Sequence, residues 1–155
     1  MPKYKYGYKI DEKCAPAQAY NIDASFKDLA AVCDNIRGMD VNSALDFLER
    51  ARRMEIPIYY RKWNKKLGHR RELGGKKGRY PRKAVGIVME VLKNAIANAE
   101  QKGLTNLYIV HASANKQSIY PRLQPKGRRI RSDYETARVE IVLREKEGER
   151  EEKNG

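Results

Sequence analysis

Arginine and lysine stand beside aromatic rings and prolines at three places in this chain: Tyr59-Tyr60-Arg61-Lys62-Trp63-Asn64, Arg79-Tyr80-Pro81-Arg82-Lys83 and Tyr120-Pro121-Arg122. Guanidinium groups grip phosphates bidentately, and aromatic rings stack on unpaired bases, so this pairing of types suits RNA. The charge is also concentrated. Residues 61–83 hold eleven cations (Arg61, Lys62, Lys65, Lys66, Arg70, Arg71, Lys76, Lys77, Arg79, Arg82 and Lys83) against one acid, Glu72. Residues 116–131 hold six more (Lys116, Arg122, Lys126, Arg128, Arg129 and Arg131) and no acid. The whole chain carries only +13, so everything outside these two segments is acidic on balance. A polyanion is the partner best placed to neutralise such segments.

Other chemistries find less support. His69 lies inside the first basic segment, where phosphate contact suits it better than general-base work. His111 falls in a strand pattern and reads as a structural histidine. The acids Asp11, Glu12, Asp28, Asp34, Asp40 and Asp46 flank helices without forming a paired-carboxylate constellation, and neither G-x-S-x-G nor H-E-x-x-H occurs. Cys14 and Cys33 make no C-x-x-C pair, and together with His69 and His111 they match no zinc spacing. Cys33 reads as a buried, reduced thiol. No catalytic residue, metal or cofactor is expected. Gly75-Lys76-Lys77-Gly78 has the form of the GXXG loop of KH domains, but that loop must join two helices, and no apolar helical run precedes Gly74. Two rival readings remain: a free regulatory RNA-binding module of KH type, and an RNA-processing enzyme using His69 or the acids.

The elements that must position these residues follow from apolar spacing. Phe26, Leu29, Cys33 and Ile36 repeat at helical intervals after Ser25, a good N-cap with Asp28 as capping-box partner, and Gly38 ends the run. Leu45, Leu48 and Ala51 mark a second helix starting at Asp40 or Asn42 and closed by Pro57. The short joint Gly38-Met39-Asp40 predicts these two helices as neighbours. Pro81 opens the strongest helix, with Ala84, Val85, Val88, Val91, Leu92, Ala95, Ile96 and Ala99 as its stripe and Asn94 and Asn98 on another face. From Leu107 the period changes to two. Leu107-Tyr108-Ile109-Val110 and Ala137, Val139, Ile141 and Leu143 form two strands that pair as a hairpin. Its outer part is polar and basic, and arms of ten or more residues at roughly 3.3 Å each reach about 30–40 Å beyond the core. An isolated two-stranded ribbon is marginal in water, so an outside partner must hold it.

The expected fold class is α+β: three helices packed on a small antiparallel sheet with a long protruding β-hairpin. With 155 residues the chain reads as a single domain. Its globular body comprises 20–112 and 132–145, with a structureless basic loop insertion at 55–80. Residues 113–131 form the extended hairpin arm, and 146–155 a solvated, flexible tail. The lead-in bearing Tyr4, Tyr6 and Tyr8 precedes the first helix. No apolar stretch suits a membrane span or a secretory signal, so a cytoplasmic location is expected.

Four stretches carry a resemblance. They are Ser25-Phe26-Lys27 through Cys33-Asp34-Asn35-Ile36-Arg37-Gly38-Met39; Ile56-Pro57-Ile58 through Asn64; Gly78-Arg79-Tyr80-Pro81 through Asn98-Ala99-Glu100-Gln101-Lys102-Gly103-Leu104; and Tyr120-Pro121-Arg122 with Val139-Glu140-Ile141-Val142-Leu143. In this order the chain resembles the universal large-subunit ribosomal protein twenty-two family in its archaeal and eukaryotic form. The 55–80 segment looks like the insertion that separates that form from the bacterial one. The resemblance implies a structural protein that binds large-subunit rRNA and supports subunit assembly and translation. It implies a body near the tunnel exit and a hairpin lining the peptide exit tunnel. Partners would be rRNA, neighbouring ribosomal proteins including large-subunit protein four at the constriction, and the nascent polypeptide at the hairpin tip. The tip, Pro121-Arg122-Leu123-Gln124-Pro125-Lys126-Gly127-Arg128, is two residues longer than the family's usual Pro-Arg-Ala-x-Gly-Arg. Where the family commonly has Thr-His-Ile, this chain has Thr136-Ala137-Arg138-Val139.

Under this reading the RNA contacts of the body are Arg61, Lys62, Trp63, Asn64, Lys65, Lys66, His69, Arg70, Arg71, Lys76, Lys77, Arg79, Tyr80, Arg82 and Lys83, with Lys27 and Asn98 as lesser ones. Those of the arm are Lys116, Tyr120, Arg122, Lys126, Arg128, Arg129 and Arg131.

Overall fold

Every helical stripe in the sequence needs an apolar face to lie on, and a single twisted sheet supplies it. The computed structural model describes residues 4–146. In chain order the elements are β1 (Cys14–Ile22), α1 (Phe26–Ile36), α2 (Val41–Arg52), β2 (Ile58–Tyr59), β3 (His69–Arg70), a 3-10 turn (Arg71–Leu73), β4 (Lys76–Arg79), α3 (Arg82–Gln101), β5 (Leu107–Tyr120) and β6 (Tyr134–Glu145). The main sheet is antiparallel in the order β1-β6-β5, with β6 at its centre. Ala137, Val139, Ile141 and Leu143 of β6 alternate into the core, where they meet Val85, Val88, Leu92, Ala95 and Ala99 of α3 and Leu29, Val32 and Ile36 of α1. This is the expected α+β class, with the hairpin formed by β5 and β6.

The second helix, expected to be closed by Pro57, already stops at Arg52, and Met54 just beyond it takes a positive φ. Helix starts follow the sequence, with two differences in detail. Ser25, Asp40 and Pro81 occupy the N-cap positions of the three helices, but no side chain caps any of them. Asp28 does not close a capping box; its carboxylate accepts the Tyr60 hydroxyl at 2.7 Å. The joint after α1 also does other work. Gly38 N donates to Ile109 O (2.8 Å), Ile109 N donates to Met39 O (2.9 Å), and Asp40 bridges Tyr108. Backbone groups at the joint are thus satisfied by β5; α1 packs chiefly on β5 and then on α3, and α2 chiefly on α3, rather than on each other.

The segment before α1 is not merely a lead-in. Cys14–Ile22 pairs with β6 as an edge strand, where Pro16 is tolerated. Residues 4–8 cross the opposite face of the sheet. There Gly7 N (3.1 Å), His111 Nε2 (2.9 Å) and Ser113 Oγ (2.9 Å) all donate to Oε1 of the buried Glu140, which confirms His111 as a structural histidine. A Cβ on Gly7 would lie 2.8 Å from that same oxygen, so a side chain there would push on the Glu140 carboxylate.

The 55–80 insertion is likewise ordered. It folds into a small antiparallel sheet, β2-β4-β3, which gives its backbone polar groups partners. A Cβ at Gly78 would stand 2.7 Å from Ile58 O and 2.6 Å from Leu73 Cδ1, and Gly74 and Gly75 turn the chain at positive φ. Arg144 and Glu145 complete β6. Lys146 N donates to Asn106 O; the remainder of the expected tail lies outside the described residues.

Candidate nucleic-acid interface

The insertion sheet turns its charged residues outward. Its pairing of Arg70 with Lys76 sets two cations side by side on short strands, with Lys77 opposite His69 and Arg79 opposite Ile58. Like charges at this spacing repel unless something anionic joins them. Tyr59 partly shields them: Arg61 and Lys76 lie over its ring at 5.9 and 5.3 Å. Arg70 packs over Tyr80 at 5.3 Å while its Nε donates to Gly78 O at 3.1 Å, so Arg70 and the half-buried Tyr80 also stiffen the insertion. His69 Nδ1 donates to Gly75 O, which fixes the ring within the turn.

In Gly75-Lys76-Lys77-Gly78 only Gly75 belongs to a turn while Lys76, Lys77 and Gly78 are part of β4, and no helix directly flanks them beyond the preceding 3-10 turn. That removes the geometry a KH loop requires. Arg61, Lys62, Lys65, Lys66, Arg71, Arg79 and Arg82 are exposed and, among the described residues, have no acidic partner within salt-bridge distance. Lys83 reaches Asp23 only at 3.5 Å with both side chains largely solvated, a contact of little energetic weight.

Trp63 is 45% exposed and held at φ +50, a region a bulky side chain rarely enters. Its ring meets Phe26 edge-on with centroids 5.4 Å apart. Lys116 Nζ, from the root of the arm, lies 4.9 Å from the centre of the same Phe26 ring. One phenylalanine at the start of α1 therefore ties the insertion to the hairpin. Trp63 also lines a groove of about 190 Å³ together with Lys62, Arg37, Ser113 and Asn115. Arg37 is held there by Asp34 (3.0 Å) and by donating to Ala112 O (2.6 Å). Neither Phe26 nor Arg37 stood out in the sequence as a site residue. The apolar stripe claimed Phe26 for the core, and Arg37 stood alone beside the helix-ending Gly38, outside both basic segments.

Along the arm, β5 and β6 pair from Leu107 with Glu145 out to Tyr120 with Tyr134, and a bridge joins Leu123 to Arg131. No residue between 115 and 135 is buried, and Leu123 is 66% exposed. Lys116 pairs with Glu135 (2.8 Å) and Arg131 with Asp133 (3.2 Å). Arg122 lies over Tyr134 and donates to Ser132 O (2.7 Å). Tyr120 packs against Tyr134 at 5.9 Å. Lys126, Arg128 and Arg129, at the turn made by Lys126 and Gly127 at positive φ, are exposed with no acidic partner among the described residues.

The remaining expected contacts sit apart from this surface. Lys27 and Asn64 flank it, exposed and half-buried respectively. Asn98 is on α3 and donates to Pro16 O at 2.9 Å, so its amide is already engaged in tying α3 to β1. No helix among the described residues is long and apolar enough to cross a membrane.

Comparison with known proteins agrees with this geometry. The large ribosomal subunit protein uL22 of Methanocaldococcus jannaschii is 39% identical over 151 residues, covering 94% of this chain and 97% of the relative. The protein of the same name from Archaeoglobus fulgidus is 39% identical over 149 residues, and that of Hyperthermus butylicus 36% over 156, covering 95% of this chain and 100% of the relative. Residues 17–144, nearly the whole described body and arm, match the family model for ribosomal protein L22p/L17e, and the chain belongs to that family.

Proposed function

We propose that this protein is a structural, non-catalytic constituent of the large ribosomal subunit. Its insertion and arm bind large-subunit rRNA, and the arm lines the peptide exit tunnel. The observation that carries the reading is the joining of two cation-rich segments on the single ring of Phe26, with most of their charges lacking acidic partners. A polyanion is the partner that neutralises such a surface. Family membership supplies the particle: the relatives are large-subunit ribosomal proteins of nearly the same length. The arm supports the tunnel assignment because beyond Ala114 it has no buried residue, and it exposes Ile119, Tyr120, Leu123 and Ile130 beside its arginines. Neighbouring ribosomal proteins, including protein four, and the nascent chain would then be its partners near the tip.

The test is cosedimentation of the tagged protein with ribosomal subunits in a high-salt gradient, comparing full length with a deletion of 114–131. Full-length protein should travel with the large subunit and the deletion should be retained less well. Protein left at the top of the gradient would overturn integral membership.

A further inference from the structure

Trp63 is the chain's single tryptophan, and the fold displays it instead of burying it. Its backbone is held at φ +50, and one edge of the ring is pinned by Phe26 while 45% of the residue stays exposed. Backbone strain at a bulky residue persists where it serves a site. The groove of about 190 Å³ beside the ring draws its walls from three elements. Lys62 and Trp63 come from the insertion, Asp34 and Arg37 from the end of α1, and Ser113 and Asn115 from β5. Ala30 and Ala114, each 9% exposed, add apolar surface.

The polar groups of the groove are not all available to a ligand. Asp34, its one acid, meets Arg37 Nη2 at 3.0 Å, and the same nitrogen donates to Ala112 O at 2.6 Å. The guanidinium is thereby fixed, while its Nη1 and Nε make no hydrogen bond among the described residues. Ser113 Oγ is spent on Glu140 at 2.9 Å. Lys62 is exposed and has no acidic partner among the described residues. What remains is an aromatic face, guanidinium donors, an ammonium and the exposed Asn115 amide. A phosphate alone would leave the indole uncovered, and an apolar peptide side chain would leave the donors unanswered. A nucleotide answers both, with a ring to stack, acceptors on the base edge and a phosphate.

We propose that this groove takes one unpaired base of the bound RNA, stacked on Trp63 with its edge on Arg37 and its phosphate on Lys62. The inference rests on the RNA-binding reading above and adds Arg37 and Asn115 to it. A base seated there touches the insertion, α1 and the root of the arm at once, so one nucleotide holds the two basic segments in a fixed relation.

The tryptophan is its own reporter, because a base stacked on indole quenches its emission. The full chain is excited at the red edge of the indole band, where RNA does not absorb. It is titrated with large-subunit rRNA and, separately, with heparin, a polyanion without bases, and filter binding is measured in parallel. The rRNA should quench Trp63 and heparin should not. Arg37→Gln and Asn115→Asp should lower the quenching reached at saturation while filter-binding affinity weakens by no more than about tenfold, since one stacked base is a single contact among many. Asn115 is exposed on its strand, so its variant tests the groove without touching the bonds that Arg37 makes at the end of α1. Bound rRNA with unchanged emission, heparin quenching equal to that of rRNA, or wild-type quenching in either variant overturns this site while leaving RNA binding intact. Wild-type protein that retains no rRNA on the filter overturns the RNA-binding reading and this site with it.

Discussion

Phe26 and Trp63 meet edge to face with ring centroids 5.4 Å apart, and this contact sets the insertion against the body. The Phe26 ring is half-buried at the first position of α1, while Trp63 stands in a turn with strained backbone. A pair of this geometry contributes about 1 kcal/mol beyond area burial. In a double-mutant cycle with Phe26→Ala and Trp63→Ala, chemical denaturation should yield a coupling of that size. Trp63→Ala should also weaken rRNA binding by about tenfold, because the exposed indole offers a stacking face. Additive single mutants would mean that the two rings do not hold each other.

The Tyr60–Asp28 bond makes a second prediction. Tyr60 is 2% exposed, and its hydroxyl reaches Asp28 Oδ1 across 2.7 Å, linking the insertion to the first turn of α1. Burial first, and then the hydrogen bond to Asp28, push its phenol well above the ordinary tyrosine range. Tyr60→Phe removes the donor and leaves the carboxylate without it. The loss in unfolding free energy should be about 2 kcal/mol, since the acceptor is charged. Asp28→Asn keeps an acceptor and should cost less. Urea midpoints of the two variants decide the order.

These two contacts also mark where the sequence stops being legible. The stripe of α3 can be read directly, since Val85, Val88, Leu92, Ala95 and Ala99 follow a period that local geometry imposes and all are buried. The partner of Asp28 is 32 residues away, and no local pattern points to it. Strand β1 escapes for a different reason. Its alanines and Pro16 have weak strand propensity, and only pairing with the central β6 makes them a strand. The insertion strands are two to four residues long, too short for alternation to show. Clustered charge, by contrast, needs no fold to be seen, and so the basic segments were legible while the Phe26 junction between them was not.

Salt dependence tests the interface as a whole. With on the order of ten phosphate contacts, log K against log salt should fall with a slope of about −7 to −9. Replacing Lys126, Arg128 and Arg129 with Gln should flatten that slope by roughly 0.7–0.9 per residue, because each exposed cation at the tip is free of acidic partners among the described residues. A filter-binding or fluorescence titration across salt concentrations measures it. A wild-type slope near −2 would leave no room for two extensive basic anchors.

Alkaline stability tests the core independently of RNA. Cys33 is fully buried on α1, and burial raises its thiol to about 12 from the ordinary 9.0. The neutral form is the one the core tolerates. Below pH 9 the thiol is protonated in both folded and unfolded chains, and pH changes nothing through this group. Between pH 9 and 12 the unfolded chain releases the proton and the folded chain keeps it. The unfolded state then binds fewer protons, and stability falls by up to about 1.4 kcal/mol per pH unit from this group alone. Lysines and tyrosines titrate in the same window, so the measurement is a difference. Under reducing conditions, urea unfolding of wild type and Cys33→Ala should be followed at pH 8, 10 and 11. The variant starts less stable because it carries a cavity, yet it should lose less stability per pH unit above 9. Parallel slopes for the two proteins would show that water reaches Cys33 and that the α1 face is not the dry interior on which the interface is built.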